Sequence, residues 1–268
     1  MRIDSEQGIR VRDVSAGYGG KTLLEGVDLR LPPGGSMAIV GPNGAGKTTL
    51  FRVITAMLKP RSGSVTLDGV DVRALSRREL SRLIAVVPQR LEVGFGLTAG
   101  EVVTLGRTPH MGFLRGLTDA DRAAILRAVE ETEIEHLVHR SFSSLSGGEQ
   151  QRTVLAMAIA QEAPYLLLDE PTVHLDVGQQ WRLMESLATL RTQRRVGILA
   201  IVHDLSLAGL YFEHVLVLDN GRVLGQGRPQ DVLTAAAIGR TFGAPLTVRQ
   251  GATGVSVLLN PGGDIHRA

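Results

Sequence analysis

Apolar residues along the chain follow two alternating periods. Ile9-Arg10-Val11-Arg12-Asp13-Val14 and Val27-Asp28-Leu29-Arg30-Leu31 alternate apolar with polar positions, which predicts two half-buried strands. Ser15 to Gly20 between them reads as a loop, and Pro32-Pro33-Gly34-Gly35 ends the second strand. Ser36-Met37-Ala38-Ile39-Val40 is a short apolar run, predicted as a buried strand, and Leu50 to Leu58 has helical spacing. Ser64 to Gly69 predicts a strand running into a turn. A charged helical pattern follows from Asp71 to Leu83, then a short buried strand, Ala85-Val86-Val87, that stops at Pro88-Gln89. From Leu91 to Ala160 the spacing is mostly helical. Glu130, Glu131, Glu133 and Glu135 fall there and predict a solvated helix face, since a metal site needs convergent ligands.

The strand signal returns at Tyr165-Leu166-Leu167-Leu168, before Asp169-Glu170, and at Gly197 to Val202, before His203-Asp204, with a helical stretch from Gln179 to Arg191 between them. His214 to Leu218 and Arg222 to Gln226 flank Asp219-Asn220-Gly221, a hairpin signal. Leu246 to Arg249 and Val255 to Leu259 are spaced as a small terminal hairpin. Buried strands alternating with helices predict an α/β fold whose mostly parallel sheet is covered on both faces.

Composition changes this picture little. The 268 residues are 43% hydrophobic but only 4% aromatic, so the core rests on Leu, Val, Ile and Ala. With no cysteine, neither disulfides nor cysteine–metal ligation contribute, as suits a reducing compartment. A formal charge of +2 gives no reason to expect nucleic acid as a partner. Met1 to Glu6 is charged and no apolar stretch follows it, so no secretory signal is expected, and no run is apolar for the roughly 18 residues of a membrane span. The expectation is a chain that is soluble, or peripheral to a membrane through a partner.

The most specific chemistry is Gly41-Pro42-Asn43-Gly44-Ala45-Gly46-Lys47-Thr48-Thr49, set between a predicted strand and a predicted helix. That context is what a P-loop needs. Glycines let the backbone close around phosphates, and the helix start adds partial positive charge. Lys47 would reach the β- and γ-phosphates, and the Thr48 hydroxyl would ligate Mg²⁺. The alternative is a glycine-rich turn with a chance lysine.

Ligands of parallel sheets bind beyond the C-terminal strand ends. The P-loop, Gln89, Asp169-Glu170 and His203 each follow such an end. Asp169 is suited to hold Mg²⁺, mainly through water, and Glu170 to polarise an attacking water. Gln89 can reach metal or water, and His203 the γ-phosphate. The alternatives are a helix N-cap for the carboxylate pair, a satisfied structural histidine for His203, and a loop anchor for the isolated Tyr18.

Leu145-Ser146-Gly147-Gly148-Glu149-Gln150-Gln151-Arg152 discriminates further. A serine and close backbone N–H groups at a helix start suit an anion, although Ser146 could equally cap its own helix. With the other motifs, this chain resembles the nucleotide-binding subunits of ABC transporters, from about Ile9 to Gln230. Tyr18 is similar to the aromatic that stacks on adenine, Gly41 to Thr49 to the P-loop, and Gln89 to the Q-loop. Ser146, Gly147, Gly148 and Gln150 fall in the signature. Asp169 and Glu170 match the Mg²⁺-associated and catalytic carboxylates, Leu175-Asp176 the D-loop, and His203 the switch histidine. Val173-His174 departs from the Ser-Ala often found before that Leu-Asp.

The resemblance implies a P-loop NTPase core with an antiparallel β subdomain and an inserted α-helical subdomain at about 91–160. The cassette would span 1–240, and 241–268 would be a C-terminal extension. It implies ATP and Mg²⁺, a head-to-tail homodimer, integral-membrane permease subunits and, indirectly, an exported substrate-binding protein. The chain would then sit at the cytoplasmic face of the membrane. Leu105-Gly106-Arg107-Thr108-Pro109-His110 and Thr172 to Asp176 resemble importers of ferric siderophores, haem and cobalamin. The competing classes are another importer or exporter, a soluble ABC ATPase of DNA repair or translation, and a P-loop kinase or GTPase. The signature speaks against the last.

Overall fold

The computed structural model describes residues 6–91, 93, 96–112, 116–173, 175–251 and 254–260. The chain divides into two units, one built up to Ala74 and again from Gly197, the other by Leu75–Val196. The first begins with the antiparallel pair β1 (Ile9–Tyr18) and β2 (Lys21–Leu31). Ile9, Val11, Val14, Leu29 and Leu31 are buried, as their alternation predicts. Ser15 to Tyr18 continue β1 rather than forming the predicted loop. The register shifts between Val11 and Val14 and on both sides of Ala16, and bulges of this kind hide a strand from simple alternation.

All five residues of β3 (Ser36–Val40) are buried. The helix α1 (Lys47–Ile54) stops before the predicted Leu58. Ala56 takes the left-handed conformation, φ 52°, and the N–H groups of Met57 and Leu58 turn back to the Arg52 carbonyl. β4 (Ser62–Leu67) pairs with the other edge of β1, and Asp68-Gly69 turns the chain into β5 (Val70–Asp71). Asp71 therefore lies in a strand, not in the helix its neighbours predict, and its carboxylate holds Arg73 at 2.6 Å.

The second unit carries α2 (Arg77–Leu83), β6 (Ile84–Val87), α3 (Ala99–Leu105), α4 (Asp119–Glu131), α5 (Gly147–Ala160), β7 (Tyr165–Asp169) and α6 (Val177–Arg194). Ser76, Thr98, Thr118 and Ser146 close capping boxes at four of these helices. β6 and β7 are parallel, paired from Ile84↔Tyr165 to Val87↔Leu168. α5 packs on α3 and α4. The four glutamates of the acidic stretch are all exposed, but no single helix face holds them. α4 ends at Glu131, Glu133 is left-handed at φ 53°, and Glu135 opens a 3-10 turn.

The first unit resumes with β8 (Gly197–Ile201), α7 (Leu205–Tyr211), β9 (His214–Asp219), β10 (Arg222–Gly227), α8 (Pro229–Val232), α9 (Ala235–Phe242), β11 (Leu246–Gly251) and β12 (Gly254–Leu259). β3 lies between β8 and β9 and runs parallel to both. The two predicted hairpins are present as β9–β10 and β11–β12. The architecture is mixed α/β, as expected, with parallel strands in each unit and an antiparallel sheet of β1, β2, β4 and β5. Among the described residues no helix is long and apolar enough to cross a membrane.

Candidate functional site

Register places the candidate residues. In the first unit the last β3–β8 pair is Ile39↔Ile201. Gly41 and His203 therefore leave neighbouring strands two residues beyond one pair, and the Val202 N–H still bonds the Ile39 carbonyl at 3.1 Å. In the second unit the last β6–β7 pair is Val87↔Leu168, which places Gln89 and Glu170 in the same relation. The four predicted strand ends are thus two pairs, one in each unit.

Gly41 begins a loop pressed against β9, where an added Cβ would overlap the Leu218 carbonyl. The Gly221 N–H bonds the Ala45 carbonyl at 3.0 Å and fixes the loop from the same side. Gly46 is the N-cap of α1, with φ 104°, and no side chain caps that helix. Its first turn holds no acidic residue. With no carboxylate in that turn, the helix dipole favours an anion there. Lys47 is buried, 5% exposed, and its Nζ donates to the carbonyls of Gly41 at 2.8 Å and Pro42 at 2.9 Å. Such charge-assisted bonds contribute about 1.5–3 kcal/mol each. Asn43, Gly44 and Thr48 are exposed, while Ala45 and Thr49 are buried.

Tyr18 ends β1 and is 41% exposed, with its hydroxyl accepting from Arg52 Nη1 at 2.8 Å. The Arg52 guanidinium stands 5.9 Å from the ring centroid. Arg52 was not apparent from sequence, where it reads as one polar position of α1.

Gln89 is exposed and donates from Nε2 to Glu170 Oε2 at 2.7 Å. Glu170 is left-handed, φ 53°, and the chain turns there instead of starting a helix. The carboxylate pair is consequently not a helix N-cap. Asp169, half-buried, closes β7. Asp176 is the residue that caps α6, accepting from the Gln179 N–H at 2.8 Å. His174, the departure noted before it, lies outside the described residues. His203 is exposed, so it is no core histidine.

Ser146 caps α5. Its hydroxyl accepts from the Glu149 N–H at 3.4 Å, and Glu149 Oε2 accepts the Ser146 N–H at 2.8 Å. The Ser146 backbone and side-chain bonds hold the Glu149 carboxyl below its usual range. Ser146 and Gly147 remain exposed. Gln150 Nε2 points back to the carbonyls of Phe142 at 3.1 Å and Leu145 at 3.3 Å, fixing the turn before the helix. Gly148 is buried against Gln179, where a Cβ would come within 2.6 Å of the amide carbon. Gln179 is a second residue that sequence patterns did not single out.

In the segment Leu105 to His110, Gly106 and Arg107 are buried while Leu105 and Thr108 are exposed. Arg107 is 5% exposed and donates to Asp121 at 2.8 Å, the Ala160 carbonyl at 2.7 Å and Glu162 at 2.9 Å. An added Cβ at Gly106 would overlap the Met157 carbonyl. His110 Nε2 lies 2.8 Å from the Gln161 carbonyl, and the Pro109 carbonyl accepts from Arg78 at 2.9 Å and Arg82 at 3.0 Å. The segment ties α2, α3, α4 and the end of α5 together.

Among the described residues no group of three His, Asp or Glu side chains could hold a metal ion by itself. Magnesium takes hard oxygen donors and keeps waters alongside one or two protein ligands. Thr48 and Asp169 are hard oxygen donors of the required kind.

The profile of the ABC transporter family matches residues 24–173. Over 229 residues the chain is 43% identical to the cobalamin import ATP-binding protein BtuD of Halobacterium salinarum, covering 85% of this chain and 57% of that protein. Over 235 residues it is 36% identical to the ferric enterobactin transport ATP-binding protein FepC of Escherichia coli K12, covering 88% and 87%. A bacterial ABC transporter cassette solved as a dimer superposes with a TM-score of 0.74 at 28% identity, over 82% of this chain and 98% of that one. The chain thus spans little more than half the length of the archaeal relative and most of the bacterial one.

Proposed function

The chain belongs to the ABC transporter family of ATP-binding proteins, and from that membership we propose that it is the ATP-hydrolysing subunit of a membrane importer for ferric siderophore, haem or cobalamin. The observation that carries the reading is the loop before α1, with its buried lysine, glycine N-cap and a first helical turn that holds no acidic residue. The cargo class is supported by the relatives' names and by Leu105 to His110.

Tyr18 would stack on adenine. Gly41 to Thr49 would wrap the phosphates, with Lys47 on the β- and γ-oxygens. Thr48, Gln89 and Asp169 are assigned to the magnesium ion, which when bound with ATP neutralises charge on the transferring phosphoryl group. Glu170 would orient and deprotonate the attacking water, and Gln89 holds that carboxylate at 2.7 Å. His203 would contact the γ-phosphate. Ser146, Gly147, Gly148, Gln150 and Asp176 would serve the ATP of a second copy, an arrangement supported by the dimeric cassette.

In this reading residues 1–240 form the cassette, 91–160 its helical subdomain and 241–268 an extension. The subunit would be peripheral to the cytoplasmic face of the membrane, held by a permease fed by an exported binding protein. Cysteine cross-linking tests this, because the chain has no cysteine of its own. Leu105→Cys and Glu101→Cys introduce thiols at exposed positions of α3. Cross-links to a many-span membrane protein are expected. Recovery of ribosomal or DNA-bound partners alone would contradict it.

A further inference from the structure

We propose that the C-terminal hairpin, β11 with β12, is a brace that holds the His203 turn in position through α7. The proposal rests on the assignment of His203 to the γ-phosphate and deepens it.

α7 has only seven residues, Leu205–Tyr211. A helix that short does not hold itself in water, so its position is set by what packs on it. β12 is the element that packs on it most extensively. Two contacts fasten them, three residues apart on one helix face. In the first, Ser206 Oγ accepts the Val257 N–H at 2.9 Å and donates to the Val257 carbonyl at 3.0 Å. The serine side chain thereby meets both polar groups of one strand residue, as a paired strand would.

In the second contact the backbones touch. A Cβ on Gly209 would overlap the Val255 carbonyl, and a Cβ on Gly254 would overlap the Gly209 carbonyl. Gly254 also has φ 145°, which L side chains rarely adopt. Val255 is 2% exposed, so the contact is dry.

The same serine is tied to the histidine turn. Asp204 caps α7, its Oδ1 accepting from the Ser206 N–H at 2.7 Å and the Leu207 N–H at 3.1 Å. His203 immediately precedes that cap. A shift of the hairpin therefore moves Ser206, then Asp204, then His203, while the P-loop on β3 has its own supports at Leu218 and Gly221. The brace should set turnover and leave nucleotide affinity alone.

The test uses the full-length chain with Ser206→Ala, which removes the hydroxyl bridge, and Gly254→Ala, which pushes the backbones apart. His203→Ala is the reference. Steady-state hydrolysis of Mg-ATP gives kcat and KM, and hydrogen exchange reads the α7 amides. We expect kcat to fall about tenfold or more, as small misplacements of catalytic groups do. KM should stay within about twofold, since binding is untouched, and the amides of Ser206 and Leu207 should exchange faster. Unchanged kcat despite faster exchange would overturn the brace. So would kcat and KM worsening together. Should Gly254→Ala fail to fold, Ser206→Ala decides alone. If His203→Ala itself hydrolyses ATP at the wild-type rate, the role given to His203 fails instead.

Discussion

Gln89 Nε2 and Glu170 Oε2 are 2.7 Å apart, joined across the ends of two parallel strands. The bond follows from register: Val87 pairs with Leu168, and each partner stands two residues further on. Glu170 reaches Gln89 because its left-handed φ of 53° turns the chain off the line of β7. A non-glycine residue in that conformation carries strain, a feature that collects at functional sites. The carboxylate is thus aimed and held by a side chain of the neighbouring strand end.

Lys47→Ala should abolish hydrolysis, chiefly through loss of ATP binding. Lys47 also donates to the carbonyls of Gly41 and Pro42, so the free loop loses two bonds as well. Nucleotide titration and turnover check this. Loss of a charged contact to phosphate should cost well over about 1 kcal/mol. Turnover within about twofold of wild type would exclude the assigned role.

Gly148→Asp should leave ATP binding by a single chain intact and block the ATP-dependent dimer. The contact of Gly148 with Gln179 supplies a rival cause within one chain. The substitution is therefore made again in Gln179→Ala, which opens the space. Light scattering with ATP should show monomers in both backgrounds. Restored dimerisation in Gln179→Ala would place the damage inside the subunit.

Tyr18→Ala should weaken ATP binding, whereas Tyr18→Phe should retain it, because stacking needs the ring and not the hydroxyl. Tyr18→Phe removes the bond from Arg52 while keeping the ring. Fluorescent-nucleotide titration separates the two. Equal loss in both variants would assign Tyr18 to the Arg52 contact rather than to adenine.

Arg107→Ala should destabilise the chain by about 3 kcal/mol, the usual cost of breaking a buried ion pair. Asp121 would lose its ionic partner while remaining 4% exposed. Its carboxyl is lowered to about 2 by the side-chain and backbone bonds of Thr118, with Arg107 adding to them. A depressed carboxyl stabilises the fold above its unfolded value of 3.8, and that contribution disappears as pH falls toward 2. Urea midpoints measured across this window should fall with pH in the wild type. The Arg107→Ala profile should be flatter but not flat, because the Thr118 bonds persist. Identical profiles would mean that Arg107 does not act on Asp121.

Legibility in the sequence followed the range of the interactions. The strand–loop–helix around Gly41 to Thr49 was legible because its glycines, lysine and helix are contiguous, and β7 because four apolar residues end in two carboxylates. The terminal hairpin was legible from two short apolar runs around glycines, yet its grip on α7 was not. That grip joins Ser206 to Val257, 51 residues apart. Arg107 stood inside a segment that sequence marked out, but its partners Asp121 and Glu162 lie 14 and 55 residues away and nothing in the pattern singled them out. The bulges of β1 and the early stop of α1 escaped because both depend on backbone geometry, not on the apolar pattern.

The most direct test of hydrolysis assigned to Glu170 is Glu170→Gln beside Asp169→Asn. Glutamine keeps the shape and can still accept from Gln89 Nε2, so the strand ends should stay in place. It cannot take a proton from water, and losing a general base typically costs about 10²–10⁴ in rate. Size-exclusion chromatography with Mg-ATP, followed by analysis of the retained nucleotide, measures the outcome. Glu170→Gln should elute as a dimer holding unhydrolysed ATP, while Asp169→Asn should bind Mg-ATP more weakly and form no stable dimer. Near wild-type hydrolysis by Glu170→Gln, with a stable ATP dimer of Asp169→Asn, would contradict the account and reverse the two roles.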